Sequence, residues 1–158
     1  MSTGHQDCGG LFKSFTFQDI RGANPPKEKG VYVLRIAERG TPVSEILEQT
    51  SQAIKHLQWP VVMDKMRTKV SRLSAIGDCP VIYIGSAGTG NESKNTLKGR
   101  HEEFSDRHTA MYPVWALLYF GWELEYGWKM EPRPGELEAA LKRQYRQHHD
   151  SLPALTAR

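Results

Sequence analysis

The sequence predicts an α+β domain in which helices cover a small sheet. Two runs, Val31–Ile36 (VYVLRI) and Pro80–Gly85 (PVIYIG), are rich in β-branched and aromatic residues, as strands are. Around them lie stretches whose apolar residues recur at helical spacing. The length, 158 residues, suffices for one core and not for two. A single domain over 1–158 is therefore expected, with an N-terminal arm over 11–29 and a helical insertion over 42–77.

The elements follow in order. Residues 1–10 are polar and Gly-rich and read as a frayed end. Leu11–Phe17 (LFKSFTF) alternates loosely and suits either a short edge strand or a packing arm. Gly and Pro mark Arg21–Lys29 as a loop. After the first strand, Ser44 is a suitable N-cap for a helix carrying Ile46, Leu47, Ile54 and Leu57 on one face. Trp59-Pro60 interrupts it. A second helix follows, striped by Val62, Met66, Val70 and Leu73, with Gly77 as its stop. Beyond the second strand, Gly88–Asn95 is a loop, and Thr96 caps a helix over 96–108. The third strand is expected over Val114–Tyr126. Val114, Ala116, Leu118, Phe120, Trp122, Leu124 and Tyr126 would form its apolar face, and Glu123 and Glu125 would face water. Pro134–His149 closes the chain as a helix, followed by the tail Ser151–Thr156.

Composition narrows the function classes only a little. A formal charge of +3 and a pI near 8.9 permit a nucleic-acid partner without arguing for one. No apolar run is long enough to span a bilayer, and the N-terminus lacks a secretory profile. Two cysteines, Cys8 and Cys79, have no metal-ligand spacing. The expectation is a cytoplasmic protein with reduced thiols and no membrane partner.

The chemistry-bearing residues are scattered. Tyr32 ends Gly30-Val31-Tyr32, and Tyr83 begins Tyr83-Ile84-Gly85. Either tyrosine alone is ordinary strand packing, but the pair, each in a strand, is an uncommon coincidence. Arg100 lies on the helix after the second strand, where an arginine usually serves the surface or an ion pair. Glu138 borders the Leu137, Leu141 and Tyr145 stripe of the last helix, and Glu136 is its rival, which spacing does not separate. Together, two phenols, a guanidinium and a carboxylate could hydrolyse a phosphodiester. A phenol orients or deprotonates water if nearby positive charge lowers its pKa. A carboxylate holds a hydrated Mg²⁺, and an arginine stabilises transition-state charge.

The set Gly30-Val31-Tyr32, Tyr83-Ile84-Gly85, Leu97–Arg100 (LKGR) and Glu138–Leu141 (EAAL) resembles the GIY-YIG nuclease family in order and context. The similarity covers roughly residues 29–36 and 80–156. It implies a three-stranded antiparallel sheet flanked by helices and metal-dependent endonucleolytic cleavage of DNA, with Mg²⁺ or Mn²⁺. By that resemblance Tyr32 would act as the base or as the phenol that positions water, and Tyr83 would activate water or contact phosphate. Arg100 would stabilise the transition state and Glu138 would anchor the metal. Family members often carry a histidine or tyrosine one turn past the arginine. Here Phe104 stands there, with His101 and His108 on either side as candidate participants that also suit plain surface positions. The two tyrosines are 51 positions apart, farther than is usual in the family, and Thr156 replaces the asparagine common in its closing segment.

Lys65, Arg67, Lys69 and Arg72 on the inserted helix are the candidates for contacts to the DNA backbone, or simply its solvated face. A chain of this size would dimerise to cut both strands, or else nick. The alternative function is a catalytically silent nucleic-acid-binding module on the same fold; a partner-binding domain with no DNA affinity is a third.

Overall fold

The structure is a computed structural model and describes residues 10–54, 68–88, 95–104 and 110–156. Four strands form one antiparallel sheet: β1 (Thr16–Asp19), β2 (Gly30–Glu38), β3 (Val81–Ala87) and β4 (Glu123–Met130), in the spatial order β1-β4-β2-β3. The three-stranded sheet expected from the resemblance is therefore corrected to four. The extra strand lies in the arm, where Phe17 pairs with Gly127 and Gln18 with Tyr126. Its four residues are largely exposed, so they carry no strong period-2 signal.

Among the described residues the helices are α1 (Val43–Ile54), α2 (Leu97–Glu103), α3 (Met111–Tyr119) and α4 (Pro134–His149), and residues 68–70 are helical and run into a 3₁₀ turn at Ser71–Ala75. The expected third strand is a second correction: its first half is α3. Met111, Val114 and Leu117 are buried at a spacing of three, whereas Trp115 and Tyr119 are exposed, which is a helical pattern. A nearly all-apolar run satisfies both periods at once, and here the helix wins. Gly121, in the left-handed region with φ 86°, turns the chain into β4. From there the expected alternation holds. Trp122, Leu124 and Tyr126 are buried, and Glu125 faces out to pair with Arg35 at 2.8 Å.

α1, the 3₁₀ turn, α2 and α3 cover one face of the sheet. Ile46, Leu73, Leu97, Phe104, Val114 and Leu117 pack there against Tyr32, Leu34, Ile36, Leu124 and Tyr126. The other face carries Val31, Val33, Val81 and Ile84, under Leu141 and Tyr145 of α4 and Phe12 and Phe15 of the arm. Alternation along β2 thus sends Tyr32 to one layer and its neighbours Val31 and Val33 to the other.

Several local expectations hold. Thr96 caps α2, its Oγ1 accepting the Gly99 amide at 3.0 Å. α4 spans the expected residues and ends at Asp150, a left-handed cap. Val70 and Leu73 of the inserted stripe are buried. Leu57, Val62 and Met66 lie outside the described residues.

The tail closes the free edge of β3. The Leu155 amide donates to the Ile82 carbonyl at 2.8 Å, and the buried Thr156 Oγ1 accepts the Ile84 amide at 3.1 Å. An edge strand with open backbone groups invites pairing with another chain, and this tail satisfies two of them.

Candidate active site

The sheet register explains how the two tyrosines meet. On β2, Tyr32 lies directly opposite Gly85 of β3, and Leu34 lies opposite both Tyr83 and Tyr126. Tyr83 and Tyr126 are thus diagonal neighbours of Tyr32 on either side, within reach of aromatic rings. The rings interleave into a stack of three with Tyr32 in the middle. Its centroid is 5.7 Å from Tyr83 at 19° and 5.4 Å from Tyr126 at 17°. Phe104 closes the stack edge-on, 6.4 Å from Tyr32 and 6.3 Å from Tyr126. Gly85 is what makes room: a Cβ there would stand 2.6 Å from Tyr32 Cζ and 2.7 Å from its hydroxyl.

Arg100 is brought to this stack by α2, whose first turn is tied to the sheet by the Tyr126 hydroxyl donating to the Leu97 carbonyl at 2.9 Å. Arg100 Nη1 donates to Glu103 at 3.0 Å, and the other Glu103 oxygen accepts from Asn95 at 3.2 Å. Arg100 Nε is buried and has no hydrogen-bond partner among the described residues. Burial works against the guanidinium charge, but the Tyr32 phenol, Glu103 and Tyr83 outweigh it and hold Arg100 above its usual pKa. It remains a cation.

The same physics acts in reverse on the phenols. Burial, then the neighbouring Tyr83 and Tyr126 and a hydrogen bond to Tyr83, push Tyr32 well above the ordinary tyrosine value, with Arg100 only partly opposing. Burial also raises Tyr126. Tyr32, 2% exposed, keeps its proton; Tyr83 is the half-exposed phenol of the pair.

The remaining candidates are placed as follows. Glu138 is on α4, the helix over the opposite face, with its side chain 21% exposed and bonded to Lys142 at 2.5 Å. Glu136 is 75% exposed beside Arg133, so the covered carboxylate of the two is Glu138. His101 Nε2 donates to the Ile20 carbonyl at 2.6 Å, and the ring stands edge-on to Tyr126, which makes it a tie between α2 and the arm. Lys69 and Arg72 are half-buried, and Arg72 lines a cleft with the tail residues Ser151–Ala154. His108, Lys65 and Arg67 lie outside the described residues. Tyr126 and Glu103, which hold the cluster together, were not singled out by sequence, and Phe104 was noted only for standing one turn past Arg100. Tyr126 stood only as an apolar-face residue of the third strand, and nothing in its spacing announced the hydrogen bond to α2.

For metal, the described residues hold no group of three or more His, Cys, Asp or Glu side chains. A lone carboxylate such as Glu138 still suits a Mg²⁺ that keeps most of its waters. Comparison with models of known families, with curated proteins and with solved structures finds no match. Among the described residues, no helix is long and apolar enough to cross a membrane.

Proposed function

We propose that this chain is a metal-dependent endonuclease of the GIY-YIG type that hydrolyses DNA phosphodiester bonds. The observation that carries the reading is the Tyr83–Tyr32 pair stacked on one sheet face beside the Arg100 cation. Tyr32 and Tyr83, 51 positions apart in sequence, come together on the paired strands β2 and β3, which supports the reading. Tyr83, the more open phenol, meets the phosphate or the attacking water. Tyr32 keeps its proton, donates it to the Tyr83 oxygen and so fixes the orientation of Tyr83; a tyrosinate base at Tyr32 is disfavoured by its burial. Arg100, cationic and held by Glu103, stabilises the charge that grows on the phosphate.

Glu138 would hold a hydrated Mg²⁺ or Mn²⁺, with Lys142 giving up its contact. When bound, the ion would neutralise phosphate oxygens and the leaving group. A cytoplasmic setting, backbone contacts from Lys65, Arg67, Lys69 and Arg72, and dimerisation for double-strand cleavage belong to the same proposal. The Glu138–Lys142 pair favours one second reading, a silent DNA-binding module in which the lysine permanently occupies the carboxylate.

Supercoiled plasmid separates the two. Nicked or linear product in Mg²⁺, lost in EDTA and in Glu138→Ala, supports the nuclease. A folded chain that binds DNA and leaves plasmid intact in Mg²⁺ and in Mn²⁺ supports the module instead.

A further inference from the structure

α3 carries an aromatic stripe that the catalytic proposal does not use. Tyr112, Trp115 and Tyr119 fall at spacings of three and four, on one helical face. Trp115 is 44% exposed and Tyr119 84%, although the helix buries its other side through Met111, Val114 and Leu117. The rings are braced: Tyr112 meets Trp115 edge-on at 6.0 Å, and the Trp115 indole N–H donates to the Phe104 carbonyl at 2.8 Å. Phe104 is itself edge-on to Tyr32, so the stripe begins one ring away from the tyrosine stack.

Its charge setting is mixed: Asp19 Oδ1 accepts the Arg21 amide at 2.8 Å, and the exposed Glu38 and Glu123, opposite each other on β2 and β4, adjoin Arg39 and Trp122. α3 contains no acidic or basic residue. At its C-terminal end stand two exposed arginines: Arg21, which donates to the Leu118 carbonyl at 3.5 Å, and Arg39, whose guanidinium lies 5.4 Å from the Trp122 ring centre. The residues after Arg39 reach that same end, where the Thr41 amide donates to the Phe120 carbonyl at 3.1 Å.

Aromatic rings stack on base faces only where bases are unpaired, because a duplex hides those faces in its own stack; nearby cations meet the phosphates. We infer that Trp115 and Tyr119 form a stacking platform for an unpaired DNA strand, with Arg21 and Arg39 meeting its phosphates, and that the platform leads this strand toward the tyrosine cluster. The substrate class is then DNA with a single-stranded region, such as a flap, a gap or a splayed end. Only this last step, from binding to substrate, rests on the nuclease reading.

The test is fluorescence anisotropy of the full chain in EDTA, with labelled oligothymidylate, its RNA counterpart and a hairpin duplex as probes. Plasmid cleavage in Mg²⁺ is scored separately. Tyr119→Ala is the clean variant, since so exposed a ring contributes little to the core. Trp115→Phe keeps a ring without the indole donor. Tyr119→Ala should weaken oligothymidylate binding by about fivefold to a hundredfold, leave duplex binding and the melting temperature unchanged, and be matched by Arg21→Ala at low salt. Oligothymidylate binding indifferent to Tyr119→Ala overturns the platform and leaves the nuclease reading standing. So does a Tyr119-dependent preference for RNA over DNA, or Tyr119-dependent self-association without a change in DNA binding. Plasmid left intact while Tyr119-dependent strand binding persists overturns the nuclease reading and leaves the platform.

Discussion

Tyr32 shows how far a residue's chemistry follows from its surroundings. The sequence suggests a phenol whose pKa falls beside positive charge, yet the structure buries it between two other phenols and raises it instead. The sign of the linkage follows. A tyrosine whose pKa is higher folded than unfolded adds stability that is fully present below about pH 10 and is lost as pH rises through its folded value. Urea denaturation of the wild type should therefore weaken above about pH 10. Tyr32→Phe should lessen that slope by up to about 1.4 kcal/mol per pH unit, the worth of one proton. An unchanged slope would mean that Tyr32 ionises as readily in the folded chain as in the unfolded one. Gly85 is the second residue-scale case. Gly85→Ala sets a Cβ against Tyr32 and should destabilise by about 1–3 kcal/mol in the same denaturation experiment, with loss of near-ultraviolet signal from the displaced rings. A neutral Gly85→Ala would show that the ring does not lie across that glycine.

At the scale of elements, some pieces were legible in the sequence and others were not. β2, β3 and α4 were, because each has a clear period and clean boundaries. The stretch from Met111 to Tyr126 was not, since its first half is apolar at nearly every position and only packing decides between helix and strand. Pro113 was the available clue, as proline fits the first turn of a helix far better than an inner strand. β1 stayed uncounted because four mostly exposed residues gain their structure from β4 rather than from their own pattern. In the candidate site, Tyr32, Tyr83 and Arg100 were readable from motif order; Tyr126 needed the sheet register, and Glu103 only the i,i+3 spacing from Arg100 on α2. The tail offers an element-scale prediction. Thr156→Val removes the acceptor for the buried Ile84 amide, between Tyr83 and Gly85, and should cost about 1–3 kcal/mol. Thr156→Ser should restore most of it. Hydrogen exchange at the Ile84 amide reads this directly, and protection that persists in Thr156→Val would contradict the assigned bond.

Over the whole molecule, the sheet separates two packed layers. One face, under α1 to α3, gathers Tyr32, Tyr83, Tyr126 and Arg100; the other, under α4 and the arm, is a plain apolar layer with Glu138 on its covering helix. β3 is the outer strand between those layers, and the tail pins its edge. The central claim is that Tyr83 and Arg100 act on a single phosphodiester. The most direct measurement is the single-turnover rate of supercoiled-plasmid cleavage in Mg²⁺ by wild type, Tyr83→Phe and Arg100→Leu, each with its fold checked by thermal denaturation. Arg100→Leu should slow cleavage by about 10²–10³-fold, and Tyr83→Phe should slow it strongly as well, both in folded protein. Folded variants that cleave at the wild-type rate would contradict the central claim.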